Sequence, residues 1–124
     1  MPVRTPREFD ELFAAAFNSW NADALLELYE PGARWVTEPG QSVSGHEAMR
    51  ATALGYFDMK PVIDLNTMAV LEAGDIAVVY SSWTFTANGP DGNPIDMVGN
   101  STVVLRRQQD SSWLCAIDDP WSSG

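Results

Sequence analysis

Residues 62–88, VIDLNTMAVLEAGDIAVVYSSWTFTAN, decide the fold. Side chains alternate in character through Ile63, Asp64, Leu65 and Asn66, and again through Trp83, Thr84, Phe85 and Thr86. That is the period of an extended chain with one buried face. The alternation breaks once, at Gly74-Asp75, a turn pair. A second turn signal, NGPDGN, occupies residues 88–93. Beyond it PIDMVGNSTVVLRR (94–107) and WLCAIDD (113–119) resume the two-residue period. Four strands joined as a meander account for residues 62–119.

The first half of the chain reads differently. Thr5, Pro6 and Glu8 have the arrangement of a helix N-cap, a first-turn proline and the acid of a capping box. Phe9, Leu12, Phe13, Ala16, Phe17 and Trp20 follow at steps of three and four, placing the large side chains on one stripe that must lie on something apolar. After a break at Asn21, Leu25, Leu28 and Tyr29 mark a short second helix, ended by Pro31-Gly32. ARWVTEPG (33–40) predicts a strand closed by Pro39-Gly40, and Ser44 with Glu47 predicts a third helix starting near Gly45. Helices first and an antiparallel meander second define an α+β domain, in which a curved sheet wraps around three N-terminal helices. With 124 residues and no linker, repeat or low-complexity tract, residues 1–124 form one domain, with Ser122, Ser123 and Gly124 a polar tail.

Composition narrows the function. A net charge of −10, with no run of Lys or Arg, repels phosphate backbones and anionic lipid, so neither nucleic acid nor a membrane is an expected partner. MPVRTPREFD has no apolar stretch after its basic residues, so the sequence predicts a cytoplasmic protein. The single Cys115 reads as a small core residue, and the single His46, in the first turn of the third helix, as a surface residue. One histidine removes a Ser-His-Asp triad and the familiar zinc clusters, and Gly89, Gly92 and Gly99 read as turn glycines rather than a phosphate loop. Asn100-Ser101-Thr102 has the form of a glycosylation acceptor but falls inside a predicted strand.

Four phrases, in order, carry a resemblance: WNADALLELYEPGARWVTEPG (20–40), VSGHEAMRA (43–51), LEAGDIAVVYSSWTFT (71–86) and WLCAIDDPW (113–121). Together they resemble the nuclear transport factor two-like superfamily, with its SnoaL-like and ketosteroid-isomerase-like members. The resemblance implies a cone-shaped fold with a deep apolar pocket, a homodimer through the outer sheet face, and no required metal, nucleotide or other cofactor. It implies no single reaction, because such a fold hosts isomerases, cyclases, hydrolases, dehydratases and association domains.

Glu38, followed by Pro39 at the end of the first predicted strand, matches the position of the general base in the steroid isomerases of this fold. A carboxylate held in an apolar pocket has its charged form disfavoured, which moves its pKa toward the range useful for proton abstraction. The alternative for Glu38 is a solvated acid at a strand end. Asp118 and Asp119 sit in the last strand, and if Trp113, Cys115 and Ile117 face inward, Asp119 does too. There it serves as a second acid, or pairs with Arg34 or Arg50 as structure. The isomerase pattern is incomplete: the first helix has no tyrosine in its stripe, and where those enzymes carry an acid on the strand before last, only Asn100 and Thr102 offer neutral donors.

Three readings follow. The first is an enzyme acting on an apolar polyketide-, terpenoid- or steroid-like molecule through Glu38 and Asp119, with Phe13, Phe17, Val36, Phe57, Trp83 and Met97 as walls and Asn100 and Thr102 orienting the ligand. The second is a non-catalytic carrier with the same pocket. The third is an association module whose dimer face carries Trp35, Trp83 and Trp121.

Overall fold

The computed structural model describes residues 2–122; Met1 lies outside them, as do Ser123 and Gly124 of the expected tail. Glu8 accepts hydrogen bonds from the backbone N–H of Thr5 at 2.8 Å and of Arg4 at 3.0 Å, fixing a 3-10 turn, Pro6–Glu8, that leads into α1, Phe9–Asn18. Phe9, Phe13, Ala16 and Phe17 are buried along α1, as their spacing requires. The Asn18 side chain closes the helix onto the sheet by donating to the Ile63 carbonyl at 2.9 Å and accepting from the Ile63 N–H at 2.7 Å. Asn21 then caps α2, Ala22–Leu26, by accepting from the Ala24 N–H.

Pro31-Gly32 does not end α2; both lie inside β1, Tyr29–Glu38. The pairing of β1 with its neighbour slips between Tyr29 and Arg34, and that irregularity accommodates a proline with no N–H to give the ladder. Gly40, at φ +83°, turns the chain into β2, Gln41–Ser44, a short strand that no sequence signal announced. Gly45, at φ +86°, rather than Ser44 caps α3, His46–Phe57. The four remaining strands are β3 (Val62–Ala73), β4 (Ile76–Asn88), β5 (Pro94–Arg107) and β6 (Trp113–Ser122). Ser122, expected in the tail, is the last residue of β6.

The fold is α+β: a curved, unclosed sheet in the order β2-β1-β6-β5-β4-β3, its inner face covered by the helices. The sheet is mixed, not antiparallel throughout, because β1 pairs with β6 in parallel. Short turns force β3 to β6 antiparallel, whereas the chain between β1 and β6 is long enough for the crossover that a parallel pair needs. Ala77, Val79, Ser81, Trp83, Phe85 and Ala87 of β4 are buried and face the helices. Cys115 is fully buried, as its setting in β6 predicts. Among the described residues no helix is long and apolar enough to cross a membrane.

Candidate functional site

A cavity of about 150 Å³ lies between α1, the end of α3 and the inner face of the sheet. Its walls are almost wholly apolar and largely aromatic, with Phe9, Phe13 and Phe17 from α1 facing Trp35, Trp83 and Phe85 from the sheet. Phe13 and Phe17 stack at 5.5 Å between centroids, and Trp83 meets Trp121 edge-on at 5.6 Å. The lining residues Tyr56, Met59, Ile63, Ile95, Met97 and Trp121 are half-buried and mark the mouth; Phe9, Asp10, Ser101, Val103 and Asp118 are buried and mark the closed end.

The polar groups are therefore concentrated at the closed end. Thr67, Ser81 and Ser101 stand directly opposite one another across β3, β4 and β5, a row of three hydroxyls on the inner face. Thr67 donates to Oδ2 of Asp10 at 2.6 Å, and Ser81 donates to the same oxygen. Asp10, in the first turn of α1 and 5% exposed, is thus a buried carboxylate whose place is set from the sheet. Ser101 is the exception in the row: among the described residues its Oγ is the buried side-chain polar atom with no hydrogen-bond partner.

The second buried acid is Asp118. Alternation from Trp113 would have turned Asp119 inward, but β6 carries an irregularity: Leu105 pairs with Cys115 while the adjacent Val104 pairs with Ile117. One extra residue, Ala116, reverses the facing of everything beyond it. Ile117 is accordingly 45% exposed and Asp118 only 4% exposed. The Tyr29 hydroxyl donates to Oδ2 of Asp118 at 2.5 Å. Burial pushes the Asp118 pKa up to about 7, and the nearby charges of Asp10 and Asp119 push the same way; the Tyr29 hydrogen bond opposes them. Tyr29 itself, wholly buried beside that carboxylate, is held well above the ordinary phenol range.

The residues named from sequence divide sharply. Phe13, Phe17, Trp83 and Met97 line the cavity. Phe57 is buried one layer behind, edge-on to Phe17 at 5.4 Å, and Val36 follows the inward Trp35 and is absent from the lining. Asn100 and Thr102 lie on the opposite face of β5, because the inward positions are Met97, Gly99, Ser101 and Val103. Asp119 shares that outer face, opposite Thr102, and accepts from the Trp121 N–H at 3.0 Å rather than pairing with Arg34 or Arg50. Glu38 is exposed at the end of β1 and does not line the cavity, although its charge helps to raise the Tyr56 pKa behind the effect of burial. Trp35, Trp83 and Trp121, assigned to an outer face by the association reading, all point into the cavity. His46 is half-buried, its Nε2 3.0 Å from the Tyr29 carbonyl; a carbonyl only accepts, so that nitrogen carries a proton.

A curved mixed sheet, roofed by helices and holding a pocket against its inner face, defines a class of small α+β pocket domains. Residues 9–113 match the family model of the SnoaL-like domain, and the chain belongs to that family. Among solved structures it is similar to a ketosteroid isomerase-like protein from Erwinia carotovora atroseptica, 19% identical with a TM-score of 0.80 over 91% of this chain and 89% of that one. A nuclear transport factor 2-like superfamily protein from Salmonella enterica is 19% identical, with a TM-score of 0.78 over 94% and 89% of the two chains. A protein with a cystatin-like fold from Novosphingobium aromaticivorans is 20% identical, with a TM-score of 0.73 over 91% and 78%. No curated protein sequence matches the chain.

Proposed function

We propose that this chain is an enzyme that moves a proton on an apolar small molecule, in an isomerase-, cyclase- or hydrolase-type reaction, with Asp118 as the group that gives and takes it. One observation carries the reading: a carboxyl with a pKa near 7 lies at the closed end of an aromatic cavity. Near neutral pH both its protonated and ionised forms are populated, which is the condition for efficient general acid or base catalysis. With Oδ2 taken by Tyr29, Oδ1 is the oxygen left to a ligand. Asp10, held by two hydroxyls, is a second carboxylate close enough to help raise the Asp118 pKa. Glu38 and Asp119, outside the cavity lining, have no direct contact with a substrate in this scheme. The ketosteroid isomerase-like neighbour is consistent with proton-transfer chemistry on such a scaffold.

The test is turnover of a panel of apolar ketones, enones, epoxides and lactones by wild type, Asp118→Asn and Glu38→Gln. Asp118→Asn is expected to lower kcat by a factor of about a hundred or more while ligand still raises the Tm, and Glu38→Gln to retain most activity. Binding that survives with no turnover in any variant would favour the carrier reading. We also propose that the protein is a homodimer through the outer face of the sheet, where Leu71 is 59% exposed and Val98 is 77% exposed.

A further inference from the structure

We infer that the ligand is neutral, about the size of one substituted ring, and enters with a single oxygen function leading, which Ser101 then holds by a hydrogen bond. The inference rests on the acid/base pocket proposed above and narrows its substrate class.

Size comes first. The cavity volume is about 150 Å³. An engineered apolar protein cavity of roughly that volume holds benzene, whereas pockets for drug-sized molecules start at about 300 Å³. Within the polyketide, terpenoid and steroid classes, this favours monocyclic members over fused-ring ones.

Orientation follows from where the polar atoms are. The mouth offers Met59, Ile63, Ile95 and Met97, with the Tyr56 hydroxyl beside them, while the closed end offers Asp10, Ser101 and Asp118. Of the three indoles in the lining, Trp83 donates to the Pro120 carbonyl at 2.8 Å and Trp121 to the Thr37 carbonyl at 2.9 Å, and Trp35 is on the wall rather than at the closed end. Thr67 and Ser81 are committed to Asp10. At the closed end that leaves the Ser101 hydroxyl, which is 95% buried by its 5% exposure, lines the cavity and has no partner among the described residues. A buried hydroxyl without a partner costs free energy, and a ligand oxygen at the closed end removes that cost.

Charge excludes an anion. Among the described residues no Lys, Arg or His lines the cavity, Asp10 and Asp118 do, and the exposed Glu38 stands near Tyr56 at the mouth. A carboxylate ligand would meet no opposite charge there.

The experiment is calorimetric titration of wild type and Ser101→Ala at pH 7 with four probes of one ring: cyclohexanone, methylenecyclohexane, cyclohexylamine and benzoate. Cyclohexanone is expected to bind roughly five- to tenfold more tightly than methylenecyclohexane, benzoate not to bind, and Ser101→Ala to erase the ketone's advantage while leaving the hydrocarbon within about twofold. Ser101→Ala removes an unpaired hydroxyl, so its Tm should equal or exceed that of wild type. Equal binding of ketone and hydrocarbon, tighter binding of the amine, binding of benzoate, or a ketone advantage that survives in Ser101→Ala would each overturn the inference. If no probe binds, the size argument falls; the Asp118 reading then stands or falls separately, on turnover in the wider panel.

Discussion

The Tyr29 hydroxyl lies 2.5 Å from Oδ2 of Asp118, across the parallel junction of β1 and β6 and 89 residues away in sequence. Both groups are buried, so water does not compete for either. The bond stabilises the ionised carboxylate and holds the Asp118 pKa down against burial and the charges of Asp10 and Asp119. Tyr29 thus sets where in pH the cavity carboxyl changes charge, without itself lining the cavity.

Tyr29→Phe should therefore move the Asp118 titration upward, by about one pH unit from its value near 7. The measurement is the carboxyl carbon chemical shift of Asp118 against pH by NMR, with any turnover profile moving in parallel. A midpoint that stays in place, or falls, would remove Tyr29 from this role.

Asp118 also makes stability depend on pH. Its folded pKa, about 7, lies above the ordinary 3.8, so between those values the folded protein holds a proton that the unfolded chain has released. Stability is accordingly lost as pH rises from about 4 to about 7, then stays at the lower level. The gap corresponds to about 4 kcal/mol at most. Asp118→Asn keeps the shape and cannot ionise, so it should unfold at higher denaturant than wild type at pH 8, with the difference shrinking toward pH 4. Urea titrations at pH 4.5, 6 and 8 read this directly. A variant weaker than wild type at pH 8 would mean that the carboxylate is stabilising when charged.

The meander and α1 were legible because their signals are local: period two in residues 62–107 and the phenylalanine stripe from Phe9 to Phe17 each belong to one element. The acid pair was not. Asp10 lies beside the stripe of α1, and nothing in its neighbours announces Thr67 and Ser81, which reach it from strands more than fifty residues away. The choice between Asp118 and Asp119 turned on one extra residue, Ala116, and a bulge has no reliable mark in the side chains around it. Ser101 stands between Asn100 and Thr102, and one step along β5 exchanges the faces, so side-chain type alone does not say which of the three points inward.

Gly99 shows what a close approach demands. It pairs with Trp83, and a Cβ added at Gly99 would lie 2.4 Å from the Trp83 ring. The indole cannot swing aside freely, because its N–H is bonded to the Pro120 carbonyl. Gly99→Ala should cost about 1–3 kcal/mol and displace a cavity wall. Chemical denaturation and the tryptophan emission spectrum test this; an unchanged midpoint with unchanged emission would mean that β5 yields instead.

The outer face of the sheet carries the last prediction. Leu71, Val78, Val104 and Ile117 stand opposite one another across β3, β4, β5 and β6, on the side away from the helices. Leu71 is 59% exposed and Ile117 45% exposed, and elsewhere on the sheet Met68 and Val98 are 51% and 77% exposed. A monomer gains nothing by leaving such a row in water, whereas two copies facing each other bury it twice. Light scattering should therefore give a mass twice the chain's 13.6 kDa. Leu71→Lys with Ile117→Lys places charges at both ends of the row and should give a monomer, while the Tm gain from a cavity ligand persists because the cavity opens on the other face. A wild-type mass of one chain at micromolar concentration would refute the dimer and leave this row without its proposed partner.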